Sequence, residues 1–116
     1  MSDLFSVSGE RAADGLGIVV LSGEVDIYTA PQFKECMLEL VDAGVDRLVV
    51  DLSDVTFIDS TALGVLIGGV RRVHTAGGAM ALVVTNRAVE RVLAITGLDR
   101  VFTIHATREA ALESLA

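Results

Sequence analysis

The stretch Asp51-Leu-Ser-Asp-Val-Thr-Phe-Ile-Asp-Ser-Thr-Ala-Leu-Gly64 carries an apolar approach, Phe57-Ile58, into a polar triplet, Asp59-Ser60-Thr61, and straight on into an apolar helix. That helix starts near Ser60 and repeats apolar residues at helical spacing through Leu63, Leu66, Ile67, Val70 and Val73. Gly77-Gly78 stops it. Just upstream, Leu48-Val49-Val50 between Arg47 and Asp51 reads as a short buried strand. A buried strand feeding a helix through a polar turn is the unit from which α/β sheets are built.

Working outward, Ala79 to Val84 is another fully apolar strand, and Val89, Val92 and Leu93 mark a short helix closed by Gly97. Val101 to Ile104 reads as the last strand, and Thr107 caps a final helix through Leu115. On the N-terminal side, Leu4 to Ser8 and Leu16 to Leu21 form a predicted hairpin around Asp14-Gly15. Gly23-Glu24-Val25-Asp26 is expected to leave the sheet as a loop. Thr29 then caps a helix, with Gln32 completing a capping-box pattern, Pro31 in the first turn and Gly44 past the end. Phe33, Met37, Leu40 and Val41 give this helix its apolar face. The order β-β-α-β-α-β-α-β-α implies an α/β fold: a mixed, mostly parallel sheet, an opening hairpin and about four packed helices, all in one domain over residues 1–116.

Composition narrows the function. At 116 residues, 52% of them apolar, the chain has room for a single self-sufficient core without metals or disulfides. Its net charge is −7, and its nine basic residues stand singly except for Arg71-Arg72. Nucleic acids and anionic membrane surfaces both select clustered Lys and Arg, so neither is an expected partner. Cys36 is the only cysteine, which excludes an intrachain disulfide and suits a reducing compartment. Met1-Ser2-Asp3-Leu4 has no basic n-region leading to an apolar h-region, and the apolar run from Ala62 to Val70 is too short to span a bilayer. A cytoplasmic protein without a cofactor is expected.

Ser60 falls at or beside the start of a helix. The plain reading is that its hydroxyl caps a free helix N–H. The functional reading is phosphorylation, which adds about −1.5 to −2 charges beside unpaired N–H groups and the positive end of a helix dipole. Asp59 opposes that added charge. Stability would change little while the exterior potential changes greatly, as a switch requires. Gly64 and Gly68 have two readings as well: close packing of helix on sheet, or a flat docking surface.

Other chemistry finds little footing. Ser60 is not in G-x-S-x-G, and neither His74 nor His105 carries a signature tying it to that serine. No phosphate-binding P-loop occurs, and Gly15-Leu16-Gly17 lacks the rest of a dinucleotide fingerprint. One cysteine and two distant histidines have no metal-site spacing. Cys36 is expected to be buried and inert, Arg71-Arg72 to complement a helix dipole, and Asp51 and Asp54 to bond turn backbone after the strand.

Phe57-Ile58-Asp59-Ser60-Thr61-Ala62-Leu63-Gly64 resembles the F-(I/M)-D-S-(S/T)-G-L-G motif of STAS domains in anti-sigma factor antagonists. Gly23-Glu24-Val25-Asp26, followed by Thr29-Ala30-Pro31, resembles that family's first loop and helix start. The likeness covers nearly the whole chain. It implies a non-enzymatic switch protein in which Ser60 is phosphorylated by a partner serine kinase that is itself the anti-sigma factor, using ATP and magnesium, and reset by a serine phosphatase. Asp59 matches the acidic residue that aids recognition, and Thr61 matches a second hydroxyl sometimes modified. The partner-binding face implied by the resemblance comprises Gly23, Glu24, Asp26, Asp59, Ser60, Thr61, Leu63 and Gly64. Ala62 departs from the family's usual glycine. A STAS scaffold in a stress-signalling or transport-associated assembly, and a nucleotide- or lipid-binding domain, are the alternatives; a monomer and a weak homodimer are both open.

Overall fold

Gly15, at φ +72°, lets the chain reverse tightly between β1 (Ser6–Ala13) and β2 (Leu16–Val25), which pair antiparallel. The computed structural model describes residues 5–116, so Leu4, the expected start of the first strand, lies outside the described residues. After the hairpin come α1 (Ala30–Asp42), β3 (Arg47–Ile58), α2 (Ser60–Thr75), β4 (Ala79–Val83), α3 (Arg87–Ile95), β5 (Thr103–His105) and α4 (Arg108–Ser114). The five strands form one sheet in the order β1-β2-β3-β4-β5, with β2 to β5 parallel. Each parallel crossover steps one place in the same direction. Right-handed connections therefore put α1, α2 and α3 on one face, and α4 folds back over the other.

The two faces bury different sets. Val19, Leu21, Leu48, Val50, Leu52 and Leu82 pack against Phe33, Met37, Leu66, Val70, Val89 and Leu93. On the reverse, Ile18, Val49, Ala81 and Val83 meet Ala111 and Leu115. Alternation along β3 and β4 sends neighbouring residues to opposite cores, which is why both strands read as continuous apolar runs. Gly69 and Gly78 mark the closest approaches: a Cβ at Gly69 would lie 2.5 Å from Met37 Sδ, and one at Gly78 would strike the Asp46 carbonyl.

Several strands are longer than expected. β1 continues to Ala13 through the polar Gly9-Glu10-Arg11, because an exposed edge strand needs no apolar alternation to hold its ladder. β2 continues through Val25, so Gly23, Glu24 and Val25 are strand and only Asp26 begins the turn. β3 runs to Ile58 rather than ending near Val50. β5 is shifted to Thr103–His105, and Phe102 before it is buried in the main core.

The extension of β3 corrects the reading of Asp51. It sits within the strand, 4% exposed, facing α4. Its Oδ1 accepts hydrogen bonds from Ser53 N (3.0 Å) and Ser53 Oγ (2.6 Å), and its Oδ2 accepts from Arg108 Nε (3.0 Å) with Arg108 Nη2 at 2.9 Å. Burial pushes this carboxyl up, but the Ser53 bonds and the Arg108 guanidinium together outweigh it and hold the carboxyl below its ordinary value. A depressed carboxyl stabilises the fold fully above the unfolded value of about 4 and loses that contribution as pH falls through the folded value. Arg108→Ala should therefore cost about 2 kcal/mol at pH 7. Urea titrations repeated at falling pH should show the deficit shrinking toward acid; a deficit that stays constant would remove the ion pair from the account.

Candidate partner-docking site

β2 and β3 end side by side, and the Asp59 N–H donates to the Val25 carbonyl at 3.2 Å. To arrive there, β3 spends two more residues than β2. The register passes from Val20↔Asp51 to Ser22↔Asp54 and from Gly23↔Val55 to Glu24↔Phe57, each step inserting one extra residue in β3. These bulges turn Val55 and Ile58 inward while leaving Phe57 exposed. Gly23 lies between them at φ +86°, a conformation that other residues rarely adopt, so its part is in the backbone path.

Asp59, in extended conformation, is the N-cap of α2: its Oδ1 accepts from Ala62 N at 3.0 Å. Ser60 is consequently the first helical residue, beside the cap rather than the cap itself. It is exposed, and its hydroxyl makes no hydrogen bond within the described residues. Thr61 is exposed too. Ala62 is fully buried, so the methyl that replaces the family's glycine packs into the core and not onto this face.

The turn before α1 also departs from expectation. Thr29 is the N-cap residue, but its side chain makes no capping bond. Thr29 Oγ1 instead donates to the Glu24 carbonyl (3.0 Å) and accepts from Asp26 N (2.9 Å). Asp26 Oδ1 accepts from Tyr28 N and Thr29 N, and the Asp26 carbonyl accepts from Ala30 N at 2.7 Å. The first N–H groups of α1 go to backbone carbonyls instead, Ala30 N to Asp26 and Gln32 N and Phe33 N to Thr29. Asp26 thus holds the turn beside Ser60.

Of the expected contact residues, Glu24, Ser60, Thr61 and Gly64 are exposed together at this end, and Asp26 and Asp59 are half-buried supports. Leu63 stands apart from them: only 8% exposed, it packs in the main core. Gly64 and Gly68 face open space rather than the sheet, so close packing is not their role. They floor a groove between α1 and α2 that Lys34, Leu38, Thr61 and Val65 also line. Three large apolar residues are exposed here: Ile27 and Tyr28, which no sequence pattern marks, and Phe57 of the apolar approach, at 61%, 84% and 47% exposure. Ile27-Tyr28 lies between helix and strand stripes, so periodicity gives it no weight; apolar residues inside a polar turn were the available signal.

Elsewhere, Arg72 pairs with Asp42 of α1 at 3.2 Å. Cys36 is half-buried rather than buried, and burial followed by the Glu39 charge pushes its thiol up. Neither His74 nor His105 hydrogen-bonds Ser60, and the described residues hold no group of three metal-ligating side chains. No helix among them is long and apolar enough to cross a membrane.

A sheet in linear order with an antiparallel edge, three helices on one face, and an exposed serine following a capping aspartate together define a STAS-type domain. Residues 11–111 match the STAS domain family. The anti-sigma-B factor antagonist of Bacillus subtilis is 36% identical over 95 residues, covering 82% of this chain and 86% of that protein. The anti-sigma F factor antagonist of Paenibacillus polymyxa is 33% identical over 102 residues, 87% of each. The crystal structure of an anti-sigma factor antagonist from Mycobacterium paratuberculosis superposes with a TM-score of 0.85 at 28% identity, covering 99% of this chain and 97% of that one. The chain belongs to the STAS-domain family of anti-sigma factor antagonists.

The division of labour between Asp59 and Ser60 has a measurable signature. Asp59→Ala should lower stability by about 1 kcal/mol. Ser60→Ala should stay within about 0.5 kcal/mol of wild type, and Gly64→Ala should gain about 0.5–1 kcal/mol. Urea denaturation at pH 7 ranks the three; a Ser60→Ala loss equal to that of Asp59→Ala would return the cap to the serine.

Proposed function

We propose that this chain is a cytoplasmic anti-sigma factor antagonist whose binding is switched off by phosphorylation of Ser60. The observation that carries the reading is the free, exposed Ser60 hydroxyl at the first position of α2, with the capping bond made by its neighbour. No hydrogen bond among the described residues uses that hydroxyl, so a group can be added to it without breaking one. The relatives named as antagonists support the same role.

In this reading the unphosphorylated face formed by Glu24, Asp59, Ser60, Thr61 and Gly64 docks on an anti-sigma factor and frees a sigma factor. The anti-sigma factor is a serine kinase. With ATP and magnesium bound, it brings the γ-phosphorus in line with Ser60 Oγ; the Oγ–P bond forms, the bond to the ADP oxygen breaks, and the serine proton passes to a base of the kinase. The new phosphoserine then lies against the nucleotide's remaining phosphates. Like charges juxtaposed in an interface cost several kcal/mol, and about 4 kcal/mol weakens binding roughly a thousandfold. A serine phosphatase restores the hydroxyl. The chain is substrate and binding module, with no catalysis of its own.

The topology gives less support to a small-ligand reading. Ligand crevices of open α/β sheets form where strand order reverses, and β2 to β5 advance in one direction throughout.

An affinity capture from the source cell's lysate, comparing wild type with Ser60→Asp, tests the proposal. Wild type should recover an ATP-dependent kinase that phosphorylates Ser60, and the aspartate variant should not. Equal recovery by both would sink the Ser60 switch and favour a scaffold role.

A further inference from the structure

We infer that Ile27, Tyr28 and Phe57 form the apolar anchor of the partner interface, and that their occupant is an apolar pocket rimmed by Lys and Arg on the anti-sigma factor; this rests on the antagonist reading. Large exposed apolar side chains are scarce here, and these three converge on one end of the sheet. Phe57 lies opposite Glu24 in the β2–β3 register. Ile27 and Tyr28 follow three and four residues after Glu24, in the turn that Asp26 pins through its bond to Tyr28 N at 2.9 Å. Asp59, bonded to Val25, carries the chain from the same strand ends to Ser60. The cluster therefore borders the phosphoacceptor.

None of the three side chains contributes to either buried core. A tyrosine 84% exposed in a turn held by four hydrogen bonds to Asp26 and Thr29 is presented to solvent on a fixed backbone. Tyr is enriched among residues that dominate binding energy, because it brings large apolar area with few rotatable bonds. Large apolar residues exposed together at one end of a domain mark protein contacts.

Charge identifies the partner's rim. The segments that build this end, residues 12–33 and 48–70, contain no Lys or Arg, while Glu24 pairs with Phe57 and Asp26 and Asp59 stand within two residues of the cluster in the chain. A complementary surface is apolar at its centre and basic at its edge, so its contacts with Glu24 steer the encounter. Affinity then resides in the anchor and switching in Ser60. The phosphate disrupts through its local clash with the nucleotide's phosphates and not by removing the anchor.

The test purifies the partner captured by the wild-type chain and measures its Kd and association rate against variants. Tyr28→Ala should weaken binding about thirtyfold or more, and Tyr28→Phe should keep most of the affinity. Ile95→Ala, which alters an exposed apolar residue of α3 outside the cluster, should bind as wild type. Glu24→Lys should slow association and reduce its salt dependence. Tyr28→Ala and Phe57→Ala both binding as wild type, while Ser60→Asp binds weakly, would overturn the anchor and leave the switch standing. Loss of binding in Tyr28→Ala alongside normal binding by Ser60→Asp would support the anchor and overturn the switch. Failure of wild type to capture any partner would overturn both.

Discussion

Two extra residues in β3 set the geometry on which the working end of this domain depends. Ten residues of β2 run beside twelve of β3, and the surplus is taken up in two bulges flanking Gly23. A regular ladder would alternate Val55 and Ile58 onto opposite faces, because strand side chains repeat every two residues. The second bulge instead puts both into the main core. Ile58 next to Val25 then brings Asp59 within reach of the Val25 carbonyl, and α2 starts where the sheet ends. Every feature of the candidate site follows from that alignment: the capping bond, the free serine, the exposed Phe57 and the turn leading to Tyr28.

The resulting surface separates structural from functional duties between adjacent residues. Asp59 and Asp26 each spend one carboxylate oxygen on backbone N–H groups, so Asp59 is held by the helix it caps and Asp26 by the turn it braces. Ser60 and Tyr28 are exposed, and neither side chain belongs to the buried cores. A partner can therefore grip or modify this end without touching the core, whose aliphatic side chains contribute about 1.5–3 kcal/mol each. On the far side of the sheet, the Asp51–Arg108 pair fastens α4 by a different device, a buried carboxylate bonded by Ser53 and Arg108.

Helices, and the strands buried on both faces, were legible from periodicity alone. Phe33 and Met37, Leu66 and Val70, and Val89 and Leu93 all face the core as their spacing implies. Strand ends were harder to read. β1 lost its signal in Gly9-Glu10-Arg11 because an edge strand can be polar throughout, and β3 lost its signal in Ser53-Asp54 because a bulge interrupts the two-residue period. Asp51 was misread as a turn residue because its partner, Arg108, is 57 positions away and no local pattern announces it. The motif around Ser60 resembles the family's in sequence, yet Leu63 within it belongs to the core. Thr29 and Gln32 match a capping box in sequence, but the Thr29 hydroxyl turns back to Glu24 and Asp26, and Gln32 N donates to the Thr29 carbonyl. Tyr28 and Ile27 could be placed only once the turn's hydrogen bonds were known.

The claim on which the rest turns is that phosphate at Ser60 changes binding without changing the fold. The most direct measurement phosphorylates the chain stoichiometrically with its partner kinase, then compares backbone amide spectra and partner Kd for the two forms. The account predicts amide shifts confined to the neighbourhood of residues 23–29 and 57–64, with binding weakened at least a hundredfold. Shifts spread across the sheet and both cores, or equal affinity of the two forms, would contradict it.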